Sequence, residues 1–394
     1  MFFLPSSLFL LSSRLMLATQ SVDGLAWDSF LSSQRFRPFL QSWTMGEVYG
    51  EIGQKPIRIA VEDSGAIQAI CFAHVVDARR GRHLSVPYGP VAKHQESSTK
   101  NEELLTLIIE ELKKVAETEK CSFIRLSPFW PSQFSILNSQ FSISSPLHLL
   151  AEHIWYLPLS IANPWEATQP LATSHKPLAE PDLLSAMRKT TRNLIRRAER
   201  DGVEIIASTD PMKDVETFIR LHDETRKRHG FTPYTNRFFR AQVKHFAERK
   251  ECTVYLAKHQ GEILAASIHM HAFGETSYHH GASVQSKVPA SYLLQWRAIQ
   301  DALRRGDHIY NFWGIAPMSE KREVESDKQH SENNTARLPL TSSRTIHPFA
   351  GVTLFKTGFG GQLLPLVHCT DIPLTYGYWL TRAFETMRKW RRGF

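Results

Sequence analysis

The stretch Cys252–Ala316, CTVYLAKHQGEILAASIHMHAFGETSYHHGASVQSKVPASYLLQWRAIQDALRRGDHIYNFWGIA, decides the fold. Its opening run Thr253–Ala257 is apolar, with β-branched and aromatic residues, the composition of a strand. Gln260-Gly261 predicts a tight turn, and Ile263–Phe273 a second strand. Gly274-Glu275 turns the chain again into a third strand, Ser277–Ser283. Leu293, Leu294, Trp296, Ala298, Ile299 and Leu303 recur at helical spacing, so Ala290–Arg305 reads as a helix that Gly306 stops. His308–Trp313 then reads as a fourth strand, ending at Gly314.

Strand, strand, strand, helix, strand implies a mixed sheet and resembles the core order of GNAT-type N-acyltransferase domains. The order occurs twice. Pro56–Val61, the turn Ser64-Gly65, Ala66–Val76, His83–Pro87, a helix over Asn101–Glu119 and a strand Ser122–Leu126 repeat it. A repeat this long is two copies of one domain, since solenoid repeats are far shorter. The expected fold is therefore α/β (α+β): two GNAT-like domains in tandem, with mixed sheets flanked by helices. We place the first domain at 21–165, with 366–394 returning to it, and the second at 166–365. Residues 1–20 read as a disordered extension, with Met16 an alternative start.

The chain has 394 residues, 42% of them hydrophobic, enough for two domains with real cores. A net charge of +8 favours an anionic partner: nucleic acid, a phosphorylated precursor or a membrane surface. The four cysteines are scattered and form no CxxC, so neither a zinc site nor a disulfide framework is expected, and a reducing cytoplasm fits. Phe2–Leu11 is too short to span a membrane, and Arg14 follows it where a secretory signal would place its basic residue first.

Ser21–Trp43 is predicted as one amphipathic helix. Ala162–Pro181, rich in Pro, Ala and Thr, marks the boundary between the copies. Asp182–Asp201 is predicted as a helix closed by Gly202, carrying Arg188, Lys189, Arg192, Arg196, Arg197 and Arg200 against Glu199. A charge run is commonly a solvated face; the one-sided excess here points to phosphates, which arginine forks match. Met318–Thr345 is polar and without period, and is expected to be a mobile loop. Trp379–Trp390 has apolar Trp379, Leu380, Ala383, Phe384 and Met387 on one side, read as packing on the first domain. A membrane-surface helix is the minority reading.

A CoA-dependent acyltransferase cradles pyrophosphate on a Q/R-x-x-G-x-G/A loop between strand and helix. At that position the copies hold Tyr88-Gly-Pro-Val-Ala-Lys93 and Gly281-Ala-Ser-Val-Gln-Ser-Lys287, neither with the glycine pattern, so no CoA cofactor is expected. His269, His271, His279 and His280 lie close together, but no carboxylate or cysteine completes a ligand spacing; satisfied core histidines are the preferred reading and no metal is expected. No G-x-S-x-G elbow supports a serine hydrolase.

The segments Lys189–Val203, Arg228-His-Gly-Phe231, His280-Gly-Ala-Ser283, Tyr310-Asn-Phe-Trp-Gly314 and Phe355-Lys-Thr-Gly-Phe-Gly-Gly361 resemble the FemABX family of aminoacyl-tRNA-dependent peptidyltransferases. The likeness runs from about Leu40 to Leu374, in the family's order, without the long coiled-coil arm of some members. It implies two GNAT-like domains, aminoacyl-tRNA as donor and an amine of the peptidoglycan stem peptide as acceptor, in side-branch or cross-bridge formation. The family's Phe-Lys pair falls on Phe355 and Lys356, the implied catalytic residues, in what reads as a glycine-rich loop. Its acceptor site falls on Tyr49, Tyr234, Phe238 and His280, with Arg228 nearby; these lack the basic residues that hold a nucleotide-linked precursor, so a lipid-linked one stays open. The implied tRNA-binding residues are Arg188, Lys189, Arg192, Arg196 and Arg197, and the implied location is the cytoplasm, with the inner face of the membrane open. A CoA-dependent N-acyltransferase of the cellulose-biosynthesis type and a non-catalytic tRNA-binding protein are the rival readings.

Overall fold

The computed structural model describes residues 16–19, 22–78, 81–93, 99–132, 142–166, 176–229, 234–317 and 349–392. It divides into two units, Met1–Leu150 with Val367–Phe394, and Ala151–Leu366.

The first unit begins with β1 (Met16–Thr19), α1 (Gly24–Ser32), a 3₁₀ turn at Phe39–Gln41 and α2 (Trp43–Glu51). Then come β2 (Pro56–Asp63), β3 (Ala66–Ala78), β4 (Gly81–Tyr88), β5 (Val91–Ala92), α3 (Thr99–Thr118), β6 (Phe123–Pro128) and β7 (Ile143–Ser144). The second unit opens with β8 (His153–Pro158), α4 (Glu180–Ala186), α5 (Lys189–Arg200), β9 (Glu204–Ala207), α6 (Pro211–His229) and α7 (Asn236–Glu248). It continues with β10 (Cys252–His259), β11 (Glu262–Ala272), β12 (Glu275–Ser283), α8 (Ala290–Arg305), β13 (Ile309–Gly314), α9 (Ala350–Thr357) and β14 (Gln362–Pro365). The chain returns to the first unit with β15 (Thr370–Pro373) and α10 (Gly377–Arg392).

Each unit has one mixed sheet. The strand order is β1-β2-β3-β4-β6-β15-β7 in the first, with β5 beside β3, and β14-β8-β13-β12-β11-β10-β9 in the second. Each sheet has one parallel pair, β4 with β6 and β12 with β13, because a helical crossover (α3 or α8) joins its strands. In the first unit Leu104, Ile108 and Leu112 repeat at i, i+4, i+8 and bury α3 against Ile59, Cys71, Leu84 and Ile124. In the second, Leu294, Ala298 and Ile299 of α8 pack with Ile195 and Ala198 of α5 and Tyr255 and Ala257 of β10. Truncating Leu112 to Ala would cost about 2–5 kcal/mol, since it is fully buried.

In the course of the chain the structure differs from the sequence expectations in five places. The predicted helix Ser21–Trp43 is broken: α1 ends at Ser32, and α2 starts only at Trp43, capped by Ser42, whose Oγ accepts the Met45 N–H at 3.2 Å. The predicted helix Asp182–Asp201 is likewise two, because Met187 and Arg188 take extended ψ angles of 150° and 142°. The division between units falls at Leu150/Ala151, not at 165/166, since β8 hydrogen-bonds to β13 and β14 of the second sheet. Met16–Thr19, expected to be disordered, pairs antiparallel with Ala60–Asp63 and covers the edge of β2. Finally, α10 packs on its own unit through the face opposite to the one expected: Tyr378 and Thr381 are buried, while Trp379, Leu380 and Met387 are exposed. The predicted loop Met318–Thr345 and residues 1–15 lie outside the described residues.

Candidate active site

The site is built where β12 and β13 part. They pair only through Glu275↔Ile309, Thr276↔Tyr310 and Ser277↔Asn311. Beyond that, each strand stays with its outer neighbour. β12 remains on β11 as far as Ser283, with a bulge between Ile268 and His269 that leaves His279 as the extra residue. β13 bulges against β8 between Asn311 and Gly314, and Trp313 takes φ 67°. Its N–H is held by the Asn311 Oδ1 at 2.8 Å. Bulges bend the strands that carry them, and a positive φ on tryptophan is a strained backbone of the sort found at functional sites.

Lys356 enters this opening from α9, not from a loop. The expectation of a glycine-rich loop fails because Ala350–Thr357 closes its own helical bonds; Gly351 lies inside the helix, and Gly358, Gly360 and Gly361 follow it. Gly361 sits at φ 103°, and a Cβ there would run into the Tyr156 carbonyl, so the chain after α9 lies tight against β8. The Lys356 Nζ donates to the Gly314 carbonyl at 2.7 Å and lies 5.7 Å from the Tyr278 ring centre. Both partners belong to the parted strands. The side chain is buried, and loss of solvent lowers its pKa from 10.5 to about 7. Phe355 packs edge-on against Tyr292 and Phe359, with ring centres 4.9 and 5.4 Å away, and so fixes the helix to α8. Across the opening, the His279 and Trp313 rings meet at 4.8 Å.

His269 and His271 are hydrogen-bonded within the protein. His269 Nε2 is 2.8 Å from the Tyr310 hydroxyl, to which Gln295 Nε2 donates at 2.6 Å. His271 reaches Thr253 Oγ1 at 2.8 Å and Thr276 Oγ1 at 3.1 Å. Burial lowers the pKa of His269 and of His279 to about 3, and that of His280 also falls well below its usual value.

The acceptor candidates fall in both units. Tyr49 lies on α2 of the first, buried and stacked on His74 at 3.9 Å. In the second, Tyr234 stacks on Phe238 at 4.5 Å, and the His280 ring packs against both, with Nε2 3.2 Å from Gln242 Oε1. Arg228 donates to the Ser283 carbonyl at 2.9 Å, at the end of β12.

The five basic candidates divide. Lys189, Arg196 and Arg197 are exposed on α5, Arg197 in an ion pair with Asp201 at 3.4 Å. Arg188 and Arg192 are turned inward, contrary to the expectation that the run faces phosphate as a set. Arg188 donates to the Leu354 carbonyl and to Thr357 Oγ1 at 2.8 Å, tying the helix that carries Lys356 to the break between α4 and α5. Arg192 caps the end of α4, donating to the carbonyls of Leu184, Ser185 and Met187. Sequence reading missed Tyr278, and placed Trp313 and Gly314 within a family-like segment without giving them a role. The dipeptide His279-His280, which interrupts the strand alternation next to Tyr278, is the signal that could have found it.

A model of the FemAB family matches residues 23–269 and 250–374. Among solved structures, a crystal structure of FemX is similar over 95% of this chain and 100% of its own, at 15% identity and a TM-score of 0.69. A conserved protein of unknown function from Bacteroides thetaiotaomicron is similar over 92% and 100%, at 13% identity and a TM-score of 0.50. A tandem GNAT protein from the clavulanic acid biosynthesis pathway is similar over 92% and 98%, at 9% identity and a TM-score of 0.49. No curated protein sequence matches. The likenesses at TM-scores of 0.69 and 0.50 speak for the fold, and the family match runs through both units from residue 23 to residue 374: the chain belongs to the FemAB family.

Proposed function

We propose that the chain transfers an amino acid from aminoacyl-tRNA to an amine of the peptidoglycan stem peptide, and that Lys356 is its catalytic residue. Family membership makes it an acyl-transferring enzyme related to peptidoglycan synthesis; the tRNA donor, the acceptor and the residue roles are the proposed part. The observation that carries the reading is the buried Lys356 at the parted end of β12 and β13, on a carbonyl of one strand and a ring of the other.

The chemistry needs little more. The acceptor amine attacks the ester carbonyl, and the C=O electron pair moves onto oxygen. The tetrahedral intermediate collapses with loss of the ribose oxygen, and the proton given up by the amine ends, net, on that oxygen as a hydroxyl. The ester is already activated, so no covalent enzyme intermediate is required. An ammonium placed before the reaction starts stabilises the oxyanion or protonates the departing ribose oxygen. A pKa of about 7 suits the second task, because the proton is readily given up at neutral pH. Lys189, Arg196 and Arg197 offer exposed charge for tRNA phosphates, and the Tyr234–Phe238–His280 group offers aromatic faces for the acceptor.

The test is transfer from charged tRNA to a stem-peptide amine by the purified protein, with acyl-CoA as the competing donor. Product from the tRNA ester and none from acyl-CoA is expected. Product from acyl-CoA alone would replace this reading with the CoA-dependent one, and tRNA binding without transfer to any amine would replace it with a binding protein.

A further inference from the structure

Helix α10 is amphipathic the wrong way round for a helix that only packs on its own unit. Its inner face is polar. Tyr378 donates to Asp371 Oδ2 at 3.2 Å, Glu385 receives Arg125 at 2.7 Å, and Arg382 donates to the Ser144 carbonyl at 2.7 Å. Its outer face carries Trp379, Leu380, Ala383, Met387 and Trp390, spaced i, i+1, i+4, i+8 and i+11, one stripe along the helix. Leu380 is 78% exposed and Trp390 84%, and Tyr376, just before the helix, is 94% exposed. Arg391 flanks the stripe, Arg388 and Lys389 lie further round the same end of the helix, and the helix's one acid, Glu385, is engaged by Arg125.

We infer that this face of α10 seats on an anionic lipid surface. Three features select that occupant. Aromatic residues stand at both ends of the stripe, and Trp and Tyr favour the boundary between headgroup and acyl chain. The accompanying charge is all basic, which complements anionic headgroups and opposes pairing with a second copy of the same face. With 16 residues and Arg382, Glu385, Arg388, Lys389 and Arg391 among them, α10 is too short and too charged to span a bilayer and suits a position in the plane of the interface. The inner polar bonds to Arg125, Asp371 and Ser144 hold the helix so that burying the stripe in lipid requires no unpacking of the unit. The inference stands on this helix alone. Its consequence, that the enzyme meets a lipid-linked acceptor, rests on the proposed transfer.

The experiment is cosedimentation of the full-length protein with vesicles of phosphatidylglycerol and phosphatidylcholine, without tRNA or acceptor, so that failure of the transfer reading leaves it unaffected. Binding is expected to mixed vesicles, and about tenfold weaker to pure phosphatidylcholine or at high salt, since each surface cation contributes roughly a fivefold preference before screening. The variant L380S/W390S should lose binding by at least about tenfold while its thermal midpoint stays put, because both side chains are exposed. Leu380→Ile with Trp390→Phe should retain it. Wild-type protein that stays in the supernatant, or a serine variant that pellets equally well, overturns the inference. So does a concentration-dependent dimer that the serine variant abolishes, which would assign the face to a second copy.

Discussion

The two sheets each contain one parallel strand pair, and the two pairs are finished in opposite ways. In the first unit β4 and β6 stay paired from His83↔Phe123 to Tyr88↔Pro128. The gap in that sheet lies elsewhere, between β3 and β4 beyond His74↔Ser85, and the Gln41 side chain fills it. Its amide accepts the Phe72 N–H at 2.8 Å and donates to the carbonyls of Phe72 at 3.0 Å and Pro87 at 2.7 Å. In the second unit β12 and β13 part after three residue pairs, and the opening holds the Lys356 ammonium on a single carbonyl. A gap closed by a neutral, fully bonded amide is scaffold. A gap holding a buried ammonium that no carboxylate among the described residues bonds is a place where charge can be put to use. One fold, present twice, thus serves once as support and once as site.

The largest effect that would sharpen this contrast is acid lability. Burial lowers the pKa values of His222, His269, His271, His279 and His280 in the second unit, against His74 and His83 in the first. The folded values lie below the unfolded value of 6.5, so between them the unfolded chain binds more protons. Stability is full above about pH 6.5 and is lost as the pH falls towards about 3, where His269 and His279 titrate. His74 in the first unit is lowered to about 3 as well, but the second unit holds His269 and His279 there, with His271 and His280 also lowered, so it should lose more stability across that window and open first. Hydrogen exchange at pH 7 and pH 5 reads this unit by unit; equal loss in both would erase the distinction. A smaller effect is expected from Gln41→Ala, which strands three buried backbone groups. It should cost about 2–4 kcal/mol of stability, measured by denaturant, and leave transfer per folded molecule unchanged. A lowered turnover number would mean that the first unit is more than support. Smaller again is the change to Gln of Lys189, Arg196 and Arg197. It should weaken tRNA binding and flatten its salt slope by about 0.7–0.9 per lost phosphate contact. Arg192→Gln should instead cost stability, since that side chain caps α4. An unchanged slope would make α5 a solvated face.

The duplicated core was legible because its signals are local. Turn residues at Ser64-Gly65, Gln260-Gly261 and Gly274, and the apolar spacing of α8, report their structure within a few residues. The places misread depend on partners far along the chain. Arg188 leaves the helix because its N–H bonds the Gly358 carbonyl and its guanidinium reaches Leu354 and Thr357, contacts no periodicity can announce. Lys356 was named through the motif around it, yet its burial and its bond to Gly314 depend on two bulges set by strand pairing. The stripe on α10 was visible as a stripe. Which side it faced was not, because Arg125 and Asp371, which claim the other side, lie on separate strands.

The central claim, that the parted pair carries the chemistry through Lys356, is tested most directly by single-turnover transfer with wild type and Lys356→Met. Turnover should fall by about 10²–10³, the scale for losing one oxyanion donor. Affinity for tRNA should change by less than about threefold, because the charge develops only in the transition state. The variant should also be at least as stable as wild type. The folded pKa of about 7 lies below the unfolded 10.5, so the buried ammonium costs most below pH 7 and the cost fades as the pH rises towards 10.5. The stabilisation by methionine should shrink over the same range. A variant that turns over near the wild-type rate would contradict the account, and so would one that loses turnover only in proportion to lost folding.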